Sequence, residues 1–188
     1  TQYGPMVFVG RTWEDYGKFI DMLTKEVRRQ AFYGQKCINR GRETATANRS
    51  RTGVSMEIYI HNLGFEFQHL RNIWEKDFAN PHSKRGGVFA REARKPMKFS
   101  VYFNKVRVEH RDSLVLTQKS LSAWCSDEKL PVQKLKEPDD YYLDLRTPET
   151  PLTDDEIQYS INDVVSMLYG IEKYRKKYAE LKDIPLTQ

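Results

Sequence analysis

The spacing of apolar and polar positions changes period several times along the chain, and each change marks an element. Residues 5–9, Pro-Met-Val-Phe-Val, read as a short strand ending at Gly10. From Trp13 the period lengthens. Trp13, Tyr16, Phe19, Ile20, Leu23 and Val27 recur at three- and four-residue steps, which predicts an amphipathic helix with Thr12 as its N-cap. Residues 35–55 lose almost all apolar character: Arg40, Arg42, Arg49 and Arg51 sit among Gly, Asn, Thr and Ser, the composition of a mobile basic loop. Residues 57–60 return to strand. Asn62 and Gly64 break that run, and a helical spacing opens at Phe65, with Leu70 and Ile73 on its apolar side, reaching about residue 77.

Further on, residues 80–87 read as a turn and 88–94 as extended chain. Residues 97–103 and 106–110 alternate on either side of Asn104-Lys105, which predicts a hairpin. Asp112-Ser113-Leu114 reads as a strand end and cap, residues 120–124 as a short helical turn, and residues 148–151, Pro-Glu-Thr-Pro, as a rigid connector. Thr153-Asp-Asp-Glu156 is a capping box, so the last helix starts at residue 154; its apolar spacing carries it to about 181. Ile157, Ile161, Val164, Val165, Leu168, Ile171 and Tyr174 form its expected buried face.

Composition adds three constraints. With 188 residues, 39% hydrophobic and 12% aromatic, the chain can bury a core of one domain. A net charge of +5 tilts the expected partner towards a polyanion. Cys37 and Cys125 lie far apart without metal or redox spacing, so both are expected as free thiols in an intracellular, reducing compartment. No apolar run approaches the roughly 20 residues of a membrane span, and no signal peptide is visible. The chain opens without Met in what reads as structure, which suggests a fragment or a domain of something longer.

Candidate chemistry falls at two places. A strand, a tight turn and a helix put Asn62, Phe65 and Glu66 at the carboxyl end of a strand, where open α/β sheets place ligands. Glu66 suits either a metal site or the positive start of a helix. Tyr159 and Asp163, four apart, share one face of the last helix; an aspartate in mid-helix is a poor helix former, so the pair is either incidental or held for chemistry.

These residues carry a resemblance. His61-Asn62-Leu63-Gly64-Phe65-Glu66 resembles the second exonuclease motif of family B DNA polymerases, and Tyr159-Ser-Ile-Asn-Asp163 resembles their third, Tyr-x3-Asp. Asp112-Ser113-Leu114 and residues 136–142 follow the order of the protein-primed branch found in phages, linear plasmids and organelles. The likeness spans about residues 56–178. It implies one exonuclease-like domain over residues 1–188 with an α/β, ribonuclease-H-like 3′–5′ exonuclease fold: a mixed sheet flanked by helices, lacking its first strands. It also implies two-metal hydrolysis of single-stranded DNA with Mg²⁺ or Mn²⁺. By that likeness Glu66 and Asp163 are metal ligands and Tyr159 orients the attacking water. Lys136, or alternatively Lys134, touches the scissile phosphate. Asn62 and Phe65 hold the frayed strand, the ring by stacking, with His61 helping from the turn. A terminal priming protein would meet Ser113-Leu114 and Ser120-Leu121, and a polymerase domain would follow if the chain is a fragment.

Two departures matter. Glu66 stands where the family has Asp, and the extra methylene moves the carboxylate outward by about 1.5 Å. The family's first motif, Asp-x-Glu on an early strand, is absent; the Asp-x-Glu at residues 154–156 belongs to the helix cap. Either those strands lie upstream of Thr1, or the chain is a catalytically inactive module that grips single-stranded nucleic acid or a partner protein.

Overall fold

In the computed structural model, which describes residues 4–40, 54–73, 87–92, 95–137, 147–178 and 180–187, nine helices and strands follow one another among the described residues. They are α1 (Trp13–Arg40), β1 (Ser55–Ile60), α2 (Leu63–Ile73), β2 (Gly87–Glu92), β3 (Lys95–Phe103), β4 (Val106–Asp112), α3 (Ser113–Thr117), α4 (Leu121–Asp127) and α5 (Asp154–Arg175). A 3-10 turn, Leu181–Asp183, follows. They divide into two units, Trp13–Asp112 and Thr1–Thr12 with Ser113–Gln188.

The first unit is built on a four-stranded sheet in the order β1-β4-β3-β2. β1 runs parallel to β4, and the other pairs are antiparallel. Asn104 and Lys105 join β3 to β4 with φ of 48° and 63°, the left-handed pair that a type I′ hairpin turn requires. Asn104 also anchors the turn to α1: its Nδ2 donates to Asp21 Oδ1 at 2.9 Å and Thr24 Oγ1 at 3.0 Å.

Alternation along β4 gives the sheet two unlike faces. Val106, Val108 and His110 lie on the face that α1 and α2 cover. There Ile20, Leu63, Leu70 and Phe99 form the core, surrounded by Tyr16, Phe19, Met56, Ile58, Ile60, Phe67, Val101 and Phe103. His110 stacks flat on Phe99, centroids 4.0 Å apart, and its Nε2 lies 3.3 Å from the Tyr16 hydroxyl. Burial pushes its imidazole down to about 3. The opposite face carries Arg107, Glu109 and Arg111. Glu109 is 3% exposed and pairs with Arg107 at 2.7 Å, Arg111 at 2.8 Å and Lys98 at 3.5 Å. Burial works to raise its carboxyl, but the Arg111 hydrogen bond and the surrounding positive charges outweigh that and hold it below its ordinary value.

In the second unit α4 packs on α5. Ser120 caps α4, and Thr153 with Glu156 completes the expected capping box on α5. Trp124, Cys125, Val165, Ile171 and Tyr174 are buried, with the Trp124 and Tyr174 rings 6.3 Å apart. Gly170 lies directly under the Trp124 indole. A Cβ there would overlap Cζ2 and stand 2.6 Å from Cη2. Arg11 Nη2 ties the start of this unit to the Pro-rich connector through the Thr147 and Thr150 carbonyls, at 3.1 and 2.6 Å.

The α/β mixed sheet with helices, the hairpin, the Thr153–Glu156 capping box and the strand before Asn62 are as expected. Several details differ. Residues 5–9 form no strand, and Met6, Phe8 and Val9 are exposed; alternation makes a strand only with a ladder beside it, and Pro5 offers no N–H. Part of the expected basic loop is regular structure instead: α1 continues through Arg40, and Ser55 belongs to β1. Residues 41–53 lie outside the described ones, as do 74–86, which include most of the expected turn, and the side chain of Cys37. Cys125 is a buried free thiol. Trp13 is exposed rather than on the buried face of α1. α5 ends at Arg175, where its apolar spacing stops contributing burial, not at 181. Val164 and Leu168, 50% and 49% exposed, lie off its buried side, which Val165, Ser166 and Gly170 take instead. Among the described residues no helix is long and apolar enough to cross a membrane.

Two outcomes follow. Gly170→Ala forces the buried indole to move and should destabilise the protein by about 1–3 kcal/mol in denaturant titration; an unchanged midpoint would contradict the packing. His110 is neutral when folded but has an ordinary value near 6.5 when unfolded. The unfolded chain therefore binds the extra proton as pH drops below 6.5, and stability falls with it, by about 2 kcal/mol at pH 5. His110→Phe should flatten stability between pH 6.5 and 5, above the range in which Glu109 titrates.

Candidate active site

In the first unit the strand-turn-helix junction is set by two local features. Asn62 has φ of 71°, a left-handed turn conformation that asparagine tolerates better than most residues, and its carbonyl accepts from Phe65 N–H at 3.0 Å. The buried Asp112 carboxylate, in register with Ile60 on the neighbouring strand, accepts from Leu63 N–H at 3.0 Å. It thereby satisfies one of the donors that a helix start leaves without an intrahelical partner. The local sequence reads Asp112-Ser113-Leu114 as a strand end and cap; that Asp112 caps a helix start 49 residues away leaves no local signal.

That junction sends its expected residues outward. Asn62 is exposed and His61 half-buried. Phe65 is 62% exposed, its ring edge-on to His69 at 5.4 Å. A large ring held in solvent by a rigid helix start is a ready surface for stacking a base. Glu66 is half-buried in the first turn of α2, where the helix dipole favours a carboxylate whether or not a cation is present.

In the second unit the structure brings Tyr159 and Asp163 together with Lys134. The ammonium donates to Asp163 Oδ1 at 2.9 Å, to Oδ2 at 2.7 Å and to the Tyr159 hydroxyl at 2.8 Å. It also lies 4.4 Å from the centre of the Tyr159 ring. Burial works against the charge on Lys134, but the hydrogen bonds to Asp163 and Tyr159 prevail and raise its pKa. The segment that carries Lys134 is positioned from both sides. Asn162 Nδ2 on α5 donates to the Gln133 carbonyl at 3.1 Å, and Gln133 Nε2 donates to the carbonyls of Leu130 at 2.5 Å and Cys125 at 3.3 Å.

Lys134, the alternative in the sequence reading, therefore stands at the pair, while Lys136 two residues on is exposed. Extended chain repeats every two residues, so spacing alone could not choose between them. Ser113 is fully buried and donates to Met167 Sδ at 3.4 Å, and Ser120 is exposed with its hydroxyl capping α4.

Asp163 is a hard oxygen donor of the kind a divalent cation takes, but both its oxygens are engaged by the Lys134 ammonium. Among the described residues, no three His, Cys, Asp or Glu side chains gather into a metal cluster.

No family model matches this sequence, and no curated protein matches it. Solved structures do. The chain is similar to Phi29 DNA polymerase complexed with single-stranded DNA, with a TM-score of 0.53 at 19% identity. It is similar to the ternary complex of that polymerase with primer-template DNA and incoming nucleotide substrates, at 0.55 and 19%, and to its post-translocation primer-template complex, at 0.52 and 21%. Each match covers 64% of this chain but only 22% of the polymerase. At such identity the likeness is one of fold. It supports, independently of the two motifs, the resemblance to a DNA polymerase drawn from the sequence.

Proposed function

We propose that this chain is a 3′–5′ exonuclease module of a DNA polymerase of the protein-primed type, hydrolysing phosphodiester bonds at the 3′ end of single-stranded DNA. The observation that carries the proposal is the Lys134–Tyr159–Asp163 cluster, in which a lysine from a separate segment brings its ammonium within 2.9 Å of a tyrosine and an aspartate that share one face of α5. The likeness in fold to part of a DNA polymerase and the exposed Phe65 support it. Asp163 is the proposed metal ligand in the second unit, with Mg²⁺ or Mn²⁺ as the cation. When bound, the cation would polarise the phosphate and favour a hydroxide nucleophile.

The chain's own residues supply the rest. Tyr159 presents a phenol that can hold the attacking water in line. Lys134 places positive charge where a phosphate oxygen gains negative charge. Phe65 stacks on an unpaired base, and Asn62 and His61 offer hydrogen bonds beside it. One observation favours a second reading, a module that binds single-stranded DNA without cutting: both Asp163 oxygens are already engaged by Lys134.

Asp163→Ala should lower Mg²⁺-dependent trimming of single-stranded 3′ ends at least about 100-fold while leaving single-strand affinity within about twofold. Trimming at the unmutated rate would remove the nuclease assignment. Phe65→Ala should weaken single-strand binding by roughly tenfold, as expected for the loss of one stacked base. Under the binding-only reading, no trimming is seen and affinity falls steeply with salt.

A further inference from the structure

We propose that the sheet face opposite α1 and α2 is a second contact surface for single-stranded nucleic acid, holding phosphates with Lys98 and Arg107 and stacking bases on Phe89 and Tyr102. The proposal rests on the DNA-binding part of the reading above and needs no cleavage. Register sets the pattern. Phe89 stands directly across from Lys98, and Tyr102 directly across from Arg107, so each cation has a ring beside it on the neighbouring strand. Alternation puts all four on the face that carries Glu109. Lys98 and Tyr102 are four residues apart on β3, about 13 Å, which lets one extended strand cross both pairs.

Positive charge is in excess on this face. Lys98, Arg107 and Arg111 surround the one carboxylate of Glu109. Glu57, the other acid on this face, lies on β1, beyond Glu109. Arg111 is buried and meets Glu109 through two of its nitrogens. Arg107 and Lys98 instead reach solvent, with 40% and 29% of their side chains exposed, and both converge on Glu109 Oε2, at 2.7 and 3.5 Å. The longer Lys98 contact exchanges readily for a phosphate oxygen. Among the described residues Arg107 meets Glu109 through Nη2, and its Nε has no partner. A guanidinium carries five N–H donors in a fork that suits phosphate, so most of that capacity is unspent. The rings favour nucleic acid over an acidic peptide. Phe89 is 52% exposed on a strand whose six residues are all exposed, and a base offers the π face that such a ring stacks on.

The test is fluorescence anisotropy of labelled oligothymidylate with the 188-residue chain across a salt series. Phe89→Ala should weaken binding about tenfold and leave the salt dependence unchanged. Lys98→Gln should lower the slope of log affinity against log salt by about 0.7, the loss of one phosphate contact. Circular dichroism melts confirm that each variant is folded. Unchanged affinity in folded Phe89→Ala, or an unchanged salt slope in folded Lys98→Gln, overturns the proposal. So does polyglutamate that displaces the oligonucleotide as well as unlabelled oligothymidylate does, since the partner would then be any polyanion. Trimming by the Asp163→Ala protein judges the nuclease reading separately. Both losses seen in a chain that never trims leave this surface standing, and unchanged binding by both variants in a chain that trims sinks this surface alone.

Discussion

Glu109 sets the terms for the first unit. A carboxylate almost sealed from water in the middle of a sheet would cost several kcal/mol if left alone. Arg107 and Arg111 on its own strand and Lys98 on the next surround it, and all three lie on one face because a strand repeats every two residues. With charge confined to that face, Val106, Val108 and His110 are left to the other, where α1 and α2 cover them. A slip of one residue between β3 and β4 would carry Glu109 into the apolar core and Val108 out of it, so the ion cluster and the core specify the same register. The Asn104 turn, tied to Asp21 and Thr24, fixes that register a third time from the hairpin tip.

Much of this was legible along the chain because it depends on neighbours in sequence. The Asn104-Lys105 turn, the Thr153–Glu156 box and the strand leading to Asn62 each announce themselves within a few residues. What could not be read depends on groups distant in sequence. The cap on α2 comes from Asp112, and the partner of the Tyr159–Asp163 pair comes from a segment with no regular structure. Lys134 and Lys136 are equivalent to any local rule; Gln133 and Asn162 decide between them, and nothing in their spacing says so. The exposure of Val164 and Leu168 was missed for a related reason. Helical periodicity reports that an apolar stripe exists, while the position of Trp124 determines which part of the helix surface faces inward.

The two candidate regions differ in character. Around Asn62 the geometry is backbone-driven: a left-handed residue and a borrowed cap hold the turn, and the functional groups are what projects from it. Around Asp163 it is charge-driven, with one ammonium satisfying a carboxylate and a phenol together. A site of the second kind is sensitive to small displacements, because 2.7 to 2.9 Å contacts to both oxygens of one carboxylate leave little slack.

Gly170 bears on that sensitivity. An α-helix is stiff about its own axis, so pinning its surface at one residue sets its rotational phase along its length. Asp163 is one heptad before Gly170, and seven residues fall about 20° short of two full turns, so both point to nearly the same side of α5. The indole seated against the bare glycine backbone thus acts as a phase stop. A side chain at that position would have to displace the indole or roll the helix, and rolling would sweep the carboxylate two turns upstream away from its lysine.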